Sequence, residues 1–283
     1  MVKFENKSFD EERALYGSND LNVVNCSFDG PADGESAFKE CKNISAEHCF
    51  FNLRYPFWHG STIKIKNCEM TELCRAALWY SDNIELEDTR FHGIKALREC
   101  SNVILSDCDI ISPEFGWSAK NIDMNNCTAK SEYFFLRAEN LRLRNVNFSG
   151  KYSFQYIKNA VFENCSFDTK DAFWHAKDIV VKNSIVNGEY LGWYSENITF
   201  ENCRITGTQP LCYCKGIKLV NCEMLNADLC FEKSDVNASI TTPVISIKNP
   251  YSGRIELPYA EEIIIDDENA KAVICEKSKC CCA

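Results

Sequence analysis

Apolar and polar residues alternate along most of the chain in short runs, as in Ile198-Thr199-Phe200, then Asn202-Cys203, then Ile205. A period of two predicts β-strands whose alternate side chains face opposite sides. The alternation itself repeats. Cys108, Cys127, Val146, Cys165, Ser184, Cys203 and Cys222 stand 19 residues apart without a gap, and the same column continues upstream through Thr89, Cys68, Cys49 and Cys26 with a few extra residues. Asn145, Asn164, Asn183, Asn202 and Asn221 form one column of expected corners, with Gly150, Gly188 and Gly207 nearby. Asn102, Asn121, Asn140, Asn159 and Asn197 form another. Asparagine and glycine suit corners because both tolerate left-handed backbone, and stacked asparagines bond to one another along a solenoid axis.

Such a period marks a solenoid, each turn burying its apolar face against the next. The expected fold is all-β: a single-stranded right-handed parallel β-helix of about 11 coils of 19 residues, three short strands per coil. A leucine-rich-repeat solenoid is the competing reading, because "ITFENCRI" also fits that consensus. Nineteen residues falls just short of that family's range of about 20 to 29, and the other half of each coil is aromatic and strand-like. One domain is expected, with an N-terminal cap over 1-20 in which "FDEERALY" reads as a short helix, a β-helix over 21-254, and closing strands plus a Cys-rich tail over 255-283.

The motifs "EERALYG", "DGESAFKE", "RYPFWHG", "RAALWY", "KDAFW", "GEYLGW", "QPLCY" and "SIKNPYSG" together resemble the bacterial domain-of-unknown-function 3737 family, from about Phe4 to Gly253. The resemblance implies a right-handed parallel β-helix similar to that of pectin lyases. It brings no established activity and no catalytic residue. The paired aspartates and Gly-His-Gly of polygalacturonases are missing from the repeats.

Charge and composition narrow the chemistry. A formal charge of -10 opposes bulk attraction to nucleic acid or anionic lipid, so neither is an expected partner. The charged start lacks the apolar run of a secretory signal, and no apolar stretch is long enough to span a bilayer, so the cytoplasm is the expected compartment. Eighteen cysteines in such a chain are expected as thiols, and the repeated column of them is expected buried, since it also accepts Val, Thr and Ser. No cofactor is implied, and a column of cysteines spread along a solenoid is a poor metal cluster. The tail Cys280 to Cys282 is the place a soft metal or an intermolecular disulfide would use.

Two aromatic copies, Phe57-Trp58-His59 and Phe173-Trp174-His175, lie 116 residues apart, six periods of 19 plus a two-residue insertion. Six coils separate them by roughly 29 Å, so they belong to one repeated face and not to one site. The phenylalanine column is expected inside. The tryptophan column, Lys39, Trp58, Trp79, Arg98, Trp117, Leu136, Gln155, Trp174, Trp193, Cys212 and Phe231, is expected outside because it contains Lys, Arg and Gln. With His59, Tyr80, Arg137, Tyr156, His175, Tyr194 and Tyr213 beside it, this strip is the candidate surface for stacking a carbohydrate ligand, or for docking a protein or a second copy of the chain. A polar column at the preceding corner supplies candidate catalytic groups for a polysaccharide lyase or glycoside hydrolase: Asp171, Glu189, Asp228 and Lys170, with His175 from the strip.

Overall fold

The structure, a computed structural model, describes residues 1–277. Its architecture is a parallel β-solenoid of about 14 turns of roughly 19 residues, more coils than the 11 expected. The excess arises at both ends. At the start, Val2–Glu5 pairs in parallel with Asn19–Val24, and Ser8–Phe9 pairs with Ser27–Phe28, again 19 residues on. No helix forms in "FDEERALY"; residues 11–17 make turns, and the backbone N–H groups of Arg13 and Leu15 donate to Glu35 and Ala37 of the next coil. The expected cap is therefore an ordinary coil. Tertiary pairing of its strands outweighed the helical preference of a short charged stretch.

The chain divides into two compact units, Met1–Asn147 and the part from Phe148 onward. In the first, six-residue strands such as Ser61–Lys66, Asp82–Glu87, Ser101–Ser106 and Lys120–Asn125 stack in parallel, each residue over its counterpart one coil away. Ile63, Ile84, Val103 and Ile122 form one buried column, and Ile65, Leu86, Leu105 and Met124 the next. The second unit repeats the plan with Lys177–Lys182, Glu196–Glu201 and Ile217–Leu225. Each long strand is followed by a corner and a short strand, as Ile185–Asn187 follows Lys177–Lys182.

Two strands, not three, make up a coil. The third side is a run of turns in which alternate residues are left-handed, as in Tyr152, Phe154 and Tyr156, or Asp171, Phe173 and His175, with φ of 54 to 59°. Left-handed backbone costs a non-glycine residue about 1–2 kcal/mol. Bonds between coils offset it: Asp171 and His175 donate to the carbonyls of Glu189 and Trp193, and Phe173 donates back to Ser153.

The described cysteines are all free, and all but Cys275 are buried. Their column has a specific geometry. Cys203 Sγ lies 3.3 Å from the Glu201 carbonyl, and Thr89 Oγ1 and Ser184 Oγ reach the equivalent carbonyls of Glu87 and Lys182 at 2.8 and 2.6 Å. Each group also accepts an N–H from the preceding coil: Cys49 N–H reaches Cys68 Sγ at 3.3 Å, and Cys165 N–H reaches Ser184 Oγ at 3.0 Å. Thr and Ser substitute for Cys here because a hydroxyl makes the same two bonds. Burial pushes the thiols of Cys41, Cys74 and Cys214 up to about 11, and those of Cys100 and Cys212 up to about 12, so they stay protonated at neutral pH. Cys280 to Cys282 lie outside the described residues.

Candidate functional site

The turn-rich side carries the aromatic strip. Phe38, Phe57, Phe135, Phe154 and Phe173 are fully buried, as alternation predicts. Trp58, Trp79, Trp117, Trp174 and Trp193 are half-buried. Gln155, Cys212 and Phe231, expected outside with them, are buried instead. Gln155 escapes the cost of burial because its side-chain amide donates to the Asp171 carbonyl at 2.9 Å. Trp117, Trp174 and Trp193 donate their indole N–H to Tyr133, Tyr190 and Gln209 carbonyls in the same way, at 2.6 to 2.8 Å, and Trp79 donates to the Lys95 carbonyl. Trp58 is the exception: its ring lies 18° from that of His59, where Trp79 and Tyr80 stand 81° apart, and its buried N–H has no partner. The coil that follows it holds the two-residue insertion.

The ring faces of the strip meet one another. Trp174 stacks on Trp193 with centroids 5.4 Å apart and 4° between planes. Arg98 lies between Trp79 and Trp117, its guanidinium 5.3 and 4.8 Å from their centroids, and Lys39 lies 4.9 Å from the ring centre of Trp58. In the outer column His59 stacks on Tyr80, and Tyr156, His175, Tyr194 and Tyr213 stack in series at 4.8 to 5.1 Å. Arg137 is exposed in the same column, and the hydroxyl of Tyr213 donates to Glu232. A sugar stacks on ring faces, and here coil spacing has filled them with neighbours.

Of the candidate catalytic groups, Lys170, Asp171 and Glu189 are neighbours at one corner. Lys170 and Glu189 form a half-exposed ion pair at 3.0 Å, with Lys170 also 5.3 Å from the centre of the Tyr190 ring. His175 is held in the aromatic stack. Asp228 is half-buried, its carbonyl accepting the Gln209 N–H. Asp171 is 6% exposed, so it is not the solvated corner residue the sequence suggested. Burial raises its carboxyl above the usual range, Lys170 lowers it and Glu189 raises it. A raised acid favours the fold when protonated, below about pH 3.9, and that benefit is lost as pH rises through its folded value. Asp171→Asn should therefore be more stable than the parent at pH 7, by a margin that closes at pH 3.5; melting curves at the two pH values check it, and a margin that widens on acidification contradicts it.

Concave surface lies at the left-handed corners. In the first unit a groove of about 610 Å³ runs across five coils from Thr62 to Asn140. One wall is an amide ladder: Asn140 Nδ2 donates to Asn121 at 2.8 Å, Asn121 to Asn102 at 2.9 Å, and Asn102 to Asn83 at 3.3 Å. Asn83 turns aside to the carboxylate of Asp82. The opposite wall is the outward column Lys64, Glu85, Ile104, Asp123 and Arg142, in register along the strands. Lys64 pairs with Glu85 at 2.7 Å and Arg144 with Asp123 at 2.8 Å. Ile104, 54% exposed, is the apolar floor between the charged groups. In the second unit a groove of about 460 Å³ lies along Asn183, Asn202 and Asn221. Both asparagine columns are legible in the sequence as corners but not as grooves. The available signal was Ile104, an aliphatic residue in an outward column otherwise charged on either side.

Among the described residues no three His, Cys, Asp or Glu side chains converge to hold a metal ion, and no helix is long and apolar enough to cross a membrane.

Comparison with solved structures returns other chains at low similarity. The Streptococcus pneumoniae surface protein and adhesin PfbA is 9% identical, over 90% of this chain and 85% of that one, with a TM-score of 0.37. The catalytic domain of a GH87 α-1,3-glucanase is 8% identical over 98% and 64%, at 0.28. A DFA-IIIase variant from Arthrobacter chlorophenolicus A6 is 6% identical over 100% and 80%, at 0.27. At these scores the fold assignment rests on the chain's own strand register. No curated protein matches the chain. A family profile described as "Protein of unknown function (DUF3737)" matches residues 2–277, nearly every coil described above, and the chain belongs to that family.

Proposed function

We propose that the chain is a carbohydrate-binding β-helix protein that holds an extended, polyhydroxylated ligand in the groove of its first unit. The observation that carries this reading is the pairing of an amide ladder with an apolar floor. An asparagine amide has two N–H donors and two acceptor sites, and the ladder uses one of each at Asn102 and Asn121. At these two residues one donor and one acceptor each therefore remain to meet ligand hydroxyls. Ile104 offers an apolar surface to the C–H face of a sugar ring, and a few placed polar groups around an apolar patch are what small-ligand sites have in common. The aromatic strip supports this reading less well, because its ring faces are already stacked. No reaction is assigned: Asp171, Glu189, Asp228, Lys170 and His175 do not line this groove.

Calorimetric titration with neutral linear hexasaccharides, the gluco-, xylo- and manno-configured series, tests the proposal. At least one should bind. Ile104→Asp should abolish binding at this groove, and Asn102→Ala should weaken it about tenfold, the size of one or two lost hydrogen bonds. Both positions are exposed, so neither change should unfold the protein. Failure of every hexasaccharide, or a stoichiometry and affinity that Ile104→Asp leaves unchanged, overturns the reading.

A further inference from the structure

From the second unit we infer a separate carbohydrate site, built as the first groove is built and resting on the same reading of that chemistry. Its ladder is formed by Asn183, Asn202 and Asn221, all left-handed with φ of 48 to 52°. Asn221 Nδ2 donates to Asn202 Oδ1 at 2.9 Å, and Asn202 Nδ2 donates to Asn183 Oδ1 at 3.3 Å. Backbone bonds fix two of these corners: Asn183 and Asn202 donate to the carbonyls of Glu201 and Val220, each at 2.9 Å.

Both ends of this ladder are open. Among the described residues nothing accepts from Asn183 Nδ2, and nothing donates to Asn221 Oδ1. The first groove differs, since its ladder turns aside onto Asp82. Amides bonded in series polarise one another, so the open N–H groups at one end and the open carbonyl at the other are a strong donor and a strong acceptor. They stand two coils apart, roughly 10 Å. A hydroxylated ligand satisfies both, because each hydroxyl donates and accepts.

The facing wall supplies the apolar half of the site. Ile185, Arg204 and Glu223 follow one another in register, one coil apart. Arg204 Nε and Glu223 Oε2 pair at 2.6 Å, which removes free charge from the wall and leaves Ile185, 39% exposed, as its apolar surface. A neutral, short saccharide matches this arrangement: hydroxyls toward the ladder, a C–H face toward Ile185, no charge to pair. Three coils of amides instead of four set the shorter length.

Calorimetry on the full chain reads the second site as stoichiometry. The probes are the hexasaccharide that binds in the panel above and the trisaccharide of the same series. The parent chain should bind two equivalents of trisaccharide. Ile185→Asp should leave one, with hexasaccharide binding at the first groove unchanged, and Ile104→Asp should leave the other. A single equivalent in the parent, abolished by Ile104→Asp, overturns this inference while the first groove stands. Two equivalents that survive Ile185→Asp overturn it as well, and no binding by any saccharide removes both readings. Far-UV circular dichroism of Ile185→Asp, an exposed position, should match the parent.

Discussion

Replacing Gly188 by alanine is expected to destabilise the protein by about 3 kcal/mol or more, a fall in melting temperature of roughly 10 °C. The residue sits at φ +152°, and a Cβ added to it would lie 1.5 Å from the Thr169 carbonyl oxygen of the preceding coil. The obstacle is backbone, which cannot rotate away as a side chain does. Relief requires the two coils to separate, and their separation is fixed by hydrogen bonds on every side: Gly188 N–H to the Thr206 carbonyl on one side, Thr169 N–H to the Asn187 carbonyl on the other. Gly207 repeats the arrangement, its added Cβ falling 2.1 Å from the Gly188 carbonyl oxygen. Gly17 supplies the control. It too is left-handed, at φ +65°, yet nothing lies within 4 Å of its added Cβ, so Gly17→Ala should cost only the 1–2 kcal/mol of left-handed backbone. Thermal and urea unfolding of the two variants separate close approach from mere conformational preference. Equal losses would mean that the coils have room to give.

How far the sequence spoke depended on whether a local preference and the structural need coincided. Asn183, Asn202 and Asn221 stand where left-handed corners are needed and are of a type that tolerates them, so those corners were legible. Phe154, Phe173, Tyr190 and Leu211 are equally left-handed, at φ of 56 to 59°, but nothing in their chemistry announces it. Only bonds to neighbouring coils hold them there, and the third side of each coil was accordingly misread as strand. Burial along the aromatic strip was half legible for a related reason. Alternation places Phe173 inside and Trp174 at the boundary, but whether Gln155 can be buried turns on a carbonyl 16 residues away, at Asp171. The grooves were hidden because concavity belongs to several coils at once, and no single coil contains it.

The interior column allows a second test of the same architecture. Phe173→Ala should cost 3–5 kcal/mol, while Trp174→Ala, one residue on and larger in volume removed, should cost about half as much. Phe173 is fully buried and its ring is enclosed by phenylalanines: Phe154 stacked at 5.2 Å, Phe162 edge-on at 5.3 Å and Phe167 at 6.4 Å. Close-packed rings on three sides cannot collapse into the space, so the lost transfer energy is compounded by a cavity. Trp174 is half-buried, and its loss removes one stacking contact with Trp193 and one indole hydrogen bond to the Tyr190 carbonyl, while water takes the vacated place. The order of the two effects is the decisive quantity. Chemical denaturation should show the smaller side chain to be the costlier deletion, with hydrogen exchange in Phe173→Ala accelerated first in the strands Lys158–Glu163 and Lys177–Lys182 that flank its coil. A larger loss for Trp174→Ala would place the tryptophan column in the core and the phenylalanine column outside it, and the inward and outward assignment on which both grooves depend would be reversed.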